Sequence, residues 1–165
     1  MLPAAQMDRF FLRLSMGYPT AEEESAILAH LGDRTPYETV SAVTDPAALR
    51  ALRQETAAVA VSDAVNRYIV ALVQATRTCP QIKFGASPRA SRTLYQGGKT
   101  WAAMHGRSFV IPDDIQDIFL PVMNHRIILT SDARLKKKTP ESILTELLEK
   151  TEVPPHKKEL LRAHA

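Results

Sequence analysis

The sequence predicts a mainly α-helical bundle of about five helices, with at most two short strands. Ser, Thr or Asp, often followed by Pro, repeatedly precedes a run whose apolar residues recur at three- and four-residue spacing. Apolar residues make up 45% of the 165 residues, which is enough for one hydrophobic core. Extended or β-branched stretches are confined to short segments such as 57–61 and 109–111.

The first 18 residues carry no clear helical periodicity and are predicted to be a linker or a partial element. The alternation of residue types after Phe11 is strand-like, but it extends over only a few residues. Such a short strand would lack a sheet around it. We therefore expect this stub to be poorly packed or to pair with another copy of the chain.

Two helices are predicted in the next part of the chain. The first covers residues 20–31, because Thr20 and Glu23 have the spacing of a capping box and a glycine follows the helix. Residues 33–44 predict a loop with scattered polar residues. The second helix is predicted to begin at Asp45, which is followed by a proline.

A long helix is predicted over residues 62–79, with apolar residues mostly along one face and a proline after its end. Its last residue, Cys79, is the single cysteine of the chain, so an internal disulfide and a multi-cysteine zinc site are excluded. We interpret Cys79 as a buried small hydrophobic residue.

The helix predicted over residues 87–105 contains two adjacent glycines, Gly97 and Gly98. Each glycine weakens a helix by roughly 1 kcal/mol relative to alanine, and a close contact with a second helix would compensate. The Gly-Gly-Lys-Thr run at 97–100 is not a Walker A phosphate loop. Thr93 stands where that motif needs its first glycine, and the run lies inside a helical pattern.

A further helix is predicted to begin at Pro112. Asp113 and Asp114 follow it, and we interpret them as carboxylates stabilised at a helix N-terminus rather than as a Mg²⁺-binding pair. Residues 124–135 are predicted to be irregular or weakly extended. The last clear helix begins at Thr139.

Charge and hydropathy bound the class of protein. The net charge of +3 is too small to imply nucleic-acid binding. The lysines at 136–138 have no aromatic residues between them, and they are interpreted as a solvated turn. No stretch approaches the roughly 20 apolar residues of a membrane span, and the first residues lack a signal-peptide core. We therefore expect a cytoplasmic protein that does not bind a membrane.

The start of the helix over 87–105 places an arginine where a cation is unfavourable. Ser87 is a good N-cap and Pro88 a good first-turn residue, so Arg89 falls at the positive end of the helix dipole. That cost makes sense if an anion such as a phosphate also binds there. Local physics alone leaves open an ordinary solvated arginine.

Two blocks of the sequence resemble a known family. Residues 85–90, Gly-Ala-Ser-Pro-Arg-Ala, resemble the sensor-2 motif of the MoxR family of AAA+ ATPases. Residues 2–10, with Gly-Tyr-Pro at 17–19, are similar to the segment where that family's ATPase core ends and its lid begins. The blocks occur in the family's order and at about its spacing, and the resemblance extends to about Pro155. Ala4 departs from the pattern, because the family usually has an acidic residue there.

The resemblance implies an AAA+ lid-type helical bundle and a division of the chain into three parts. Residues 1–18 would be the end of the ATPase core and the hinge, residues 19–155 the α-helical lid, and residues 156–165 a charged tail. His125 and Arg126 match a His-Arg pair of such lids, and we assign them a structural role at a helix end.

The resemblance also implies roles for five site residues. Arg89 would be the sensor-2 arginine that reaches the γ-phosphate of ATP, with Ser87 and Pro88 beside the nucleotide. Arg9 would be an arginine finger toward the neighbouring subunit; the alternative is a surface arginine beside an aspartate. Tyr18 would lie near the adenine, or would pack against the first lid helix.

The sequence contains no Walker A or Walker B motif. We therefore expect the 165-residue chain to hold neither ATP nor Mg²⁺ alone and to have no ATPase activity, whereas a full-length parent would hydrolyse ATP. The implied partners are its own AAA+ core, neighbouring subunits of a hexameric ring, and clients such as proteins with a von Willebrand factor A domain. Two other classes stay open: a stand-alone helical interaction or oligomerisation module, and a basic helical nucleic-acid-binding domain.

Overall fold

The computed structural model describes residues 3–30 and 40–155, and within them the chain forms eight helices and two strands. In chain order these are α1 (Ala4–Met7), α2 (Ala21–Ala29), α3 (Pro46–Ala58), α4 (Asp63–Thr78), β1 (Ile82–Phe84), α5 (Pro88–Met104), α6 (Pro112–Met123), β2 (Ile128–Leu129), α7 (Ser131–Leu135) and α8 (Pro140–Lys150). The predicted mainly α-helical class with two short strands is confirmed. Most of the predicted loop at 33–44 and all of the tail at 156–165 lie outside the described residues. No helix within the described ranges is long and apolar enough to cross a membrane.

The chain divides into two compact units, one formed by Met1–Arg13 and Glu55–Ala165 and the other by Leu14–Gln54. The second unit holds α2 and most of α3. Its first helix begins with the predicted capping box. The Glu23 backbone N–H donates to Thr20 Oγ1 over 3.3 Å, and the Thr20 backbone N–H donates to Glu23 Oε2 over 2.8 Å.

The core of the first unit lies between α4, α5, α6 and α8. Each of these helices contributes fully buried apolar side chains, among them Leu72, Val73, Leu94, Ile115, Phe119, Ile143 and Leu144. Burying one such side chain stabilises the fold by roughly 1.5–3 kcal/mol. Cys79 follows α4 and is half-buried at the edge of this core, so the prediction of a buried cysteine was wrong. It is the C-cap residue of α4 and has an extended backbone, so the apolar face of the helix does not determine its burial.

The close helix contact predicted for Gly97 and Gly98 is present between α5 and α6. A Cβ atom on Gly97 would lie 2.8 Å from Ile118 Cδ1, and one on Gly98 would lie 2.5 Å from Ile115 Cδ1. The missing side chains therefore let α6 approach the backbone of α5. The apolar packing gained there compensates the weak helix propensity of the two glycines.

The segment 124–135 is more regular than the sequence predicts. It contains β2, which pairs antiparallel with β1 and places Leu129 opposite Ile82, and it contains the short helix α7. Thr130 caps α7, since its Oγ1 accepts from the Ala133 backbone N–H over 3.2 Å. The two-residue strand agrees with the predicted weakly extended character of this segment. The helix α7 was not predicted, because five residues are too few to show periodicity.

The N-terminal stub also differs from its prediction. It forms the four-residue helix α1, and the strand predicted after Phe11 is not formed. Its backbone is bonded to the bundle, since the Arg13 N–H donates to the Pro121 carbonyl over 2.9 Å. Pro121 lies inside α6, which continues to Met123. The backbone of the stub is therefore attached to the bundle, while the side chains of Phe10, Phe11 and Leu12 are 39–53% exposed, as expected for a poorly packed stub.

Candidate functional site

The first turn of α5 has the local structure that the sequence predicts. Ser87 is the N-cap, and its Oγ accepts from the Arg89 backbone N–H over 3.2 Å. Pro88 occupies the first helical position. The first turn contains no acidic residue, and the Arg89 side chain is 48% exposed. A half-exposed guanidinium therefore lies at the positive end of this helix dipole.

The chain before α5 is fixed against the end of α4. The Ala86 backbone N–H donates to Thr76 Oγ1 over 3.0 Å, and Arg77 Nε donates to the Ala86 carbonyl over 2.9 Å. The Thr76 hydroxyl itself donates to the Val73 carbonyl over 2.7 Å, and Thr76 is fully buried. These bonds hold both polar backbone groups of Ala86, so the position at which α5 begins is fixed.

The carboxylate of Asp8 brings the N-terminal segment to the start of α5. Its Oδ2 accepts from the Ser87 hydroxyl over 2.8 Å and lies 3.8 Å from Arg89 Nη1. Its Oδ1 lies 3.3 Å from Arg126 Nε. One carboxylate therefore contacts the N-cap of α5, the half-exposed Arg89 and the buried Arg126.

Arg126 follows α6, and its side chain is only 1% exposed. Its guanidinium donates to the carbonyl oxygens of Phe11 over 3.2 Å and Asp8 over 3.3 Å, and also to those of Phe10 and Val122. Burial lowers the pKa of Arg126, and the Asp8 carboxylate opposes this shift. The structural role expected for Arg126 therefore has a specific form: it binds the backbone of the N-terminal segment.

His125 contacts the same segment. Its Nε2 lies 3.0 Å from the Phe10 carbonyl oxygen, so this nitrogen carries the hydrogen in that contact. Burial lowers the pKa of His125, and the neighbouring positive charges of Arg126 and Arg13 lower it further. The bond to Phe10 opposes the shift. The neutral imidazole is therefore favoured at this position.

The structure brings together only part of the predicted set of site residues. Ser87, Pro88 and Arg89 lie in one turn. Arg9 follows α1, has an exposed side chain, and is not part of the group that Asp8 forms with the start of α5. Tyr18 belongs to the Leu14–Gln54 unit and is fully exposed.

Sequence reasoning missed the connection between Asp8 and Arg126. Asp8 was considered only as a neighbour of Arg9, although it lies in the same motif, and Arg126 only as part of a His-Arg pair. The two residues are 118 positions apart, and no local pattern links them. The chain has 21 lysines and arginines and 18 aspartates and glutamates, so charge alone gave no signal that these two residues would pair.

The two aspartates at the start of α6 have the structural place that their position predicts. Asp114 is buried and accepts from the Ile111 backbone N–H over 2.8 Å. It also forms a bidentate ion pair with Arg107, in which both guanidinium Nη atoms donate to the two carboxylate oxygens. Its oxygens are therefore occupied by a helix N-terminus and one arginine.

Lysines of the basic run at 136–138 form ion pairs within the bundle. Lys136 Nζ lies 3.0 Å from Asp132 Oδ2, and Lys138 Nζ lies 2.6 Å from Glu146 Oε1. Lys137 has a positive φ of 56°, as expected in a turn after a helix. The run therefore closes the connection between α7 and α8.

Comparisons with known proteins agree with this architecture. Residues 74–147 match the AAA lid domain family. The chain is 37% identical over 153 residues to the uncharacterized protein YeaC of Bacillus subtilis, a match that covers 93% of this chain and 48% of that protein. It is 33% identical over 162 residues to Chaperone MoxR1 of Mycobacterium tuberculosis, covering 93% of this chain and 42% of that protein. The crystal structure of a putative ATPase from Cytophaga hutchinsonii superposes with a TM-score of 0.83 at 27% identity, covering 94% of this chain and 50% of that one. The chain spans about half the length of the curated relatives it matches.

Proposed function

Because this chain carries the lid portion of the MoxR family of AAA+ ATPases, we propose that it contributes Arg89 as the sensor-2 arginine of a ring-forming, chaperone-like remodelling ATPase. The observation that supports this proposal most is the placement of the Arg89 guanidinium. It is half-exposed in the first turn of α5, beside an N-cap whose loop is fixed to α4. A phosphate oxygen fits this position, because a guanidinium and a helix N-terminus both attract anions.

Arg89 would act on the terminal phosphate of ATP from the lid of the same subunit. Its fixed charge and paired N–H groups suit the oxygens on which charge develops during phosphoryl transfer. The described part of the chain contains no group of three or more histidine, cysteine, aspartate or glutamate side chains that could hold a metal ion. We therefore propose that Mg²⁺ and most of the nucleotide are held by an ATPase core outside these residues, and that Arg89 couples lid closure to ATP.

Arg89→Ala is expected to lower the ATPase turnover of the protein that contains both this chain and its core by about 10²-fold, the usual effect of removing one charge-stabilising group. The measurement is steady-state ATP hydrolysis, with the 165-residue chain alone as the expected inactive baseline. Arg92→Ala is the matched control, since Arg92 is exposed on the same helix one turn later. Turnover of Arg89→Ala equal to that of Arg92→Ala would remove the sensor role.

We further propose that Arg9 acts across the ring interface on the nucleotide of the neighbouring subunit. The Arg9 side chain is exposed, and the preceding residue, Asp8, is paired with the buried Arg126. The backbone at Arg9 is therefore held in place, while its guanidinium extends toward solvent. An arginine supplied from a neighbour stabilises the charge of the transferred phosphoryl group. We propose in addition that the ring is hexameric and that its clients include proteins with a von Willebrand factor A domain.

Mixing two inactive variants tests the action of Arg9. Arg9→Ala subunits retain a nucleotide site, and Walker-defective subunits retain Arg9. If Arg9 acts in trans, rings formed from an equal mixture regain activity at about a quarter of their sites. About half of the subunits have a working nucleotide site, and about half of the neighbours of these subunits donate Arg9. Rings that remain inactive at every mixing ratio would contradict trans action.

A further inference from the structure

The two arginines that share the Asp8 carboxylate differ in how firmly they are held. The Arg126 side chain is 1% exposed and donates to four backbone carbonyls as well as facing Asp8 Oδ1 over 3.3 Å. The Arg89 side chain is 48% exposed, and its Nη1 lies 3.8 Å from Asp8 Oδ2. Arg126 is therefore fixed, while the contact between Asp8 and Arg89 is a loose ion pair.

A loose ion pair of this kind is easily exchanged. Half-exposed pairs are weakened by solvent and by salt, and they add little to stability. A phosphate offers a guanidinium more charge and paired oxygen acceptors at hydrogen-bond distance. Arg89 can therefore leave Asp8 for a phosphate, whereas the buried Arg126 cannot, because its guanidinium is enclosed by backbone carbonyls.

Asp8 also occupies the place at the helix start that favours negative charge. Its Oδ2 accepts from the hydroxyl of Ser87, the N-cap of α5. The field of the helix N-terminus that stabilises this carboxylate would equally stabilise a bound phosphate. A phosphate near Arg89 would meet the negative charge of Asp8, so the two anions compete for the same guanidinium.

We propose that Asp8 is a positioning residue that holds Arg89 in the nucleotide-free lid, and that the terminal phosphate of ATP takes Arg89 from it. This inference rests on the sensor role proposed for Arg89. Arg126 keeps Asp8 in place during the exchange, because its bonds to the N-terminal backbone do not involve Arg89. ADP lacks the terminal phosphate and leaves the pair between Asp8 and Arg89 intact.

Asp8→Asn removes the competing charge and keeps an oxygen that can accept from the Ser87 hydroxyl. In the protein that contains the ATPase core, this variant is expected to bind ATP about three- to fivefold more tightly at low salt, as the loss of one weak ion pair allows. ADP binding is expected to stay unchanged. Asp8→Glu is the conservative control, because it keeps the charge and is expected to bind ATP as the unaltered protein does.

The double variant separates this inference from the proposed function. If Arg89→Ala alone leaves ATP affinity and turnover unchanged, the sensor role fails. If Arg89→Ala weakens ATP binding but Asp8→Asn does not tighten it, only the competition fails. A gain from Asp8→Asn that persists in the Arg89→Ala background also overturns the competition, since the effect would not pass through Arg89.

A second measurement needs no variant and covers the case in which Asp8→Asn does not fold. The ¹³C signal of the Asp8 carboxyl carbon in the unaltered protein reports the loss of its guanidinium neighbour. It is expected to shift on addition of a non-hydrolysable ATP analogue and to stay in place on addition of ADP. An unchanged signal with both nucleotides overturns the proposal.

Discussion

Replacing Arg126 with methionine is expected to destabilise the unit that contains α4–α8 by about 3 kcal/mol. This is the lower end of the usual cost of removing one partner from a buried ion pair. Asp8 is 22% exposed, so part of its charge is solvated when Arg126 is lost, which keeps the cost from the upper end. The carbonyl oxygens that Arg126 bonds would lose their donor, and each buried acceptor left unpaired adds to the loss.

Urea unfolding measures the change in the free energy of unfolding. Arg92→Met is the matched control, because this arginine is exposed on α5 and its loss is expected to change stability by no more than about 0.5 kcal/mol. Amide exchange adds a local readout. The N–H of Arg13 bonds to Pro121 and should lose protection in Arg126→Met, since the segment is no longer anchored. Equal stability of the two methionine variants would contradict the anchoring role.

Elements whose signals are local were predictable from the sequence. The capping box of Thr20 and Glu23 and the start of α5 at Ser87 depend on residues within three positions of one another. Gly97 and Gly98 indicated a close contact with a second helix, because two glycines weaken their own helix and gain nothing within it. For the two helix starts, the physical cause and the sequence pattern lie in the same turn.

The connection of Asp8 to Arg126 depends on tertiary structure and was not predictable. It joins the N-terminal segment to the residue that follows α6 across 118 positions, so no spacing rule expresses it. The attachment of the N-terminal backbone was unpredictable for the same reason, because a side chain from another part of the chain holds it. The sequence could therefore indicate Arg89 as a candidate site residue, but not the Asp8 carboxylate that lies 3.8 Å from its guanidinium.

Gly85→Ala is expected to destabilise the same unit by about 3 kcal/mol, the upper end of the usual cost of overpacking. A Cβ atom at this position would lie 2.7 Å from the Thr76 carbonyl oxygen and 2.8 Å from the backbone N and Cα of Arg77. These atoms belong to the last turn of α4 and cannot rotate away as a side chain can. Relief requires the loop to move, which stretches the bond between the Ala86 N–H and Thr76 Oγ1.

Gly98→Ala is the control that distinguishes a clash with backbone atoms from a clash with a side chain. Its Cβ would meet the end of the Ile115 side chain at 2.5 Å, a closer approach than at Gly85 but one that a side-chain rotation can relieve. The substitution also gains about 1 kcal/mol of helix propensity, so its net cost is expected to be about 1 kcal/mol or less. Thermal or urea unfolding of both variants gives the comparison. If Gly98→Ala costs as much as Gly85→Ala, the backbone contact of Gly85 does not fix the start of α5, and this loop does not position Ser87 and Arg89.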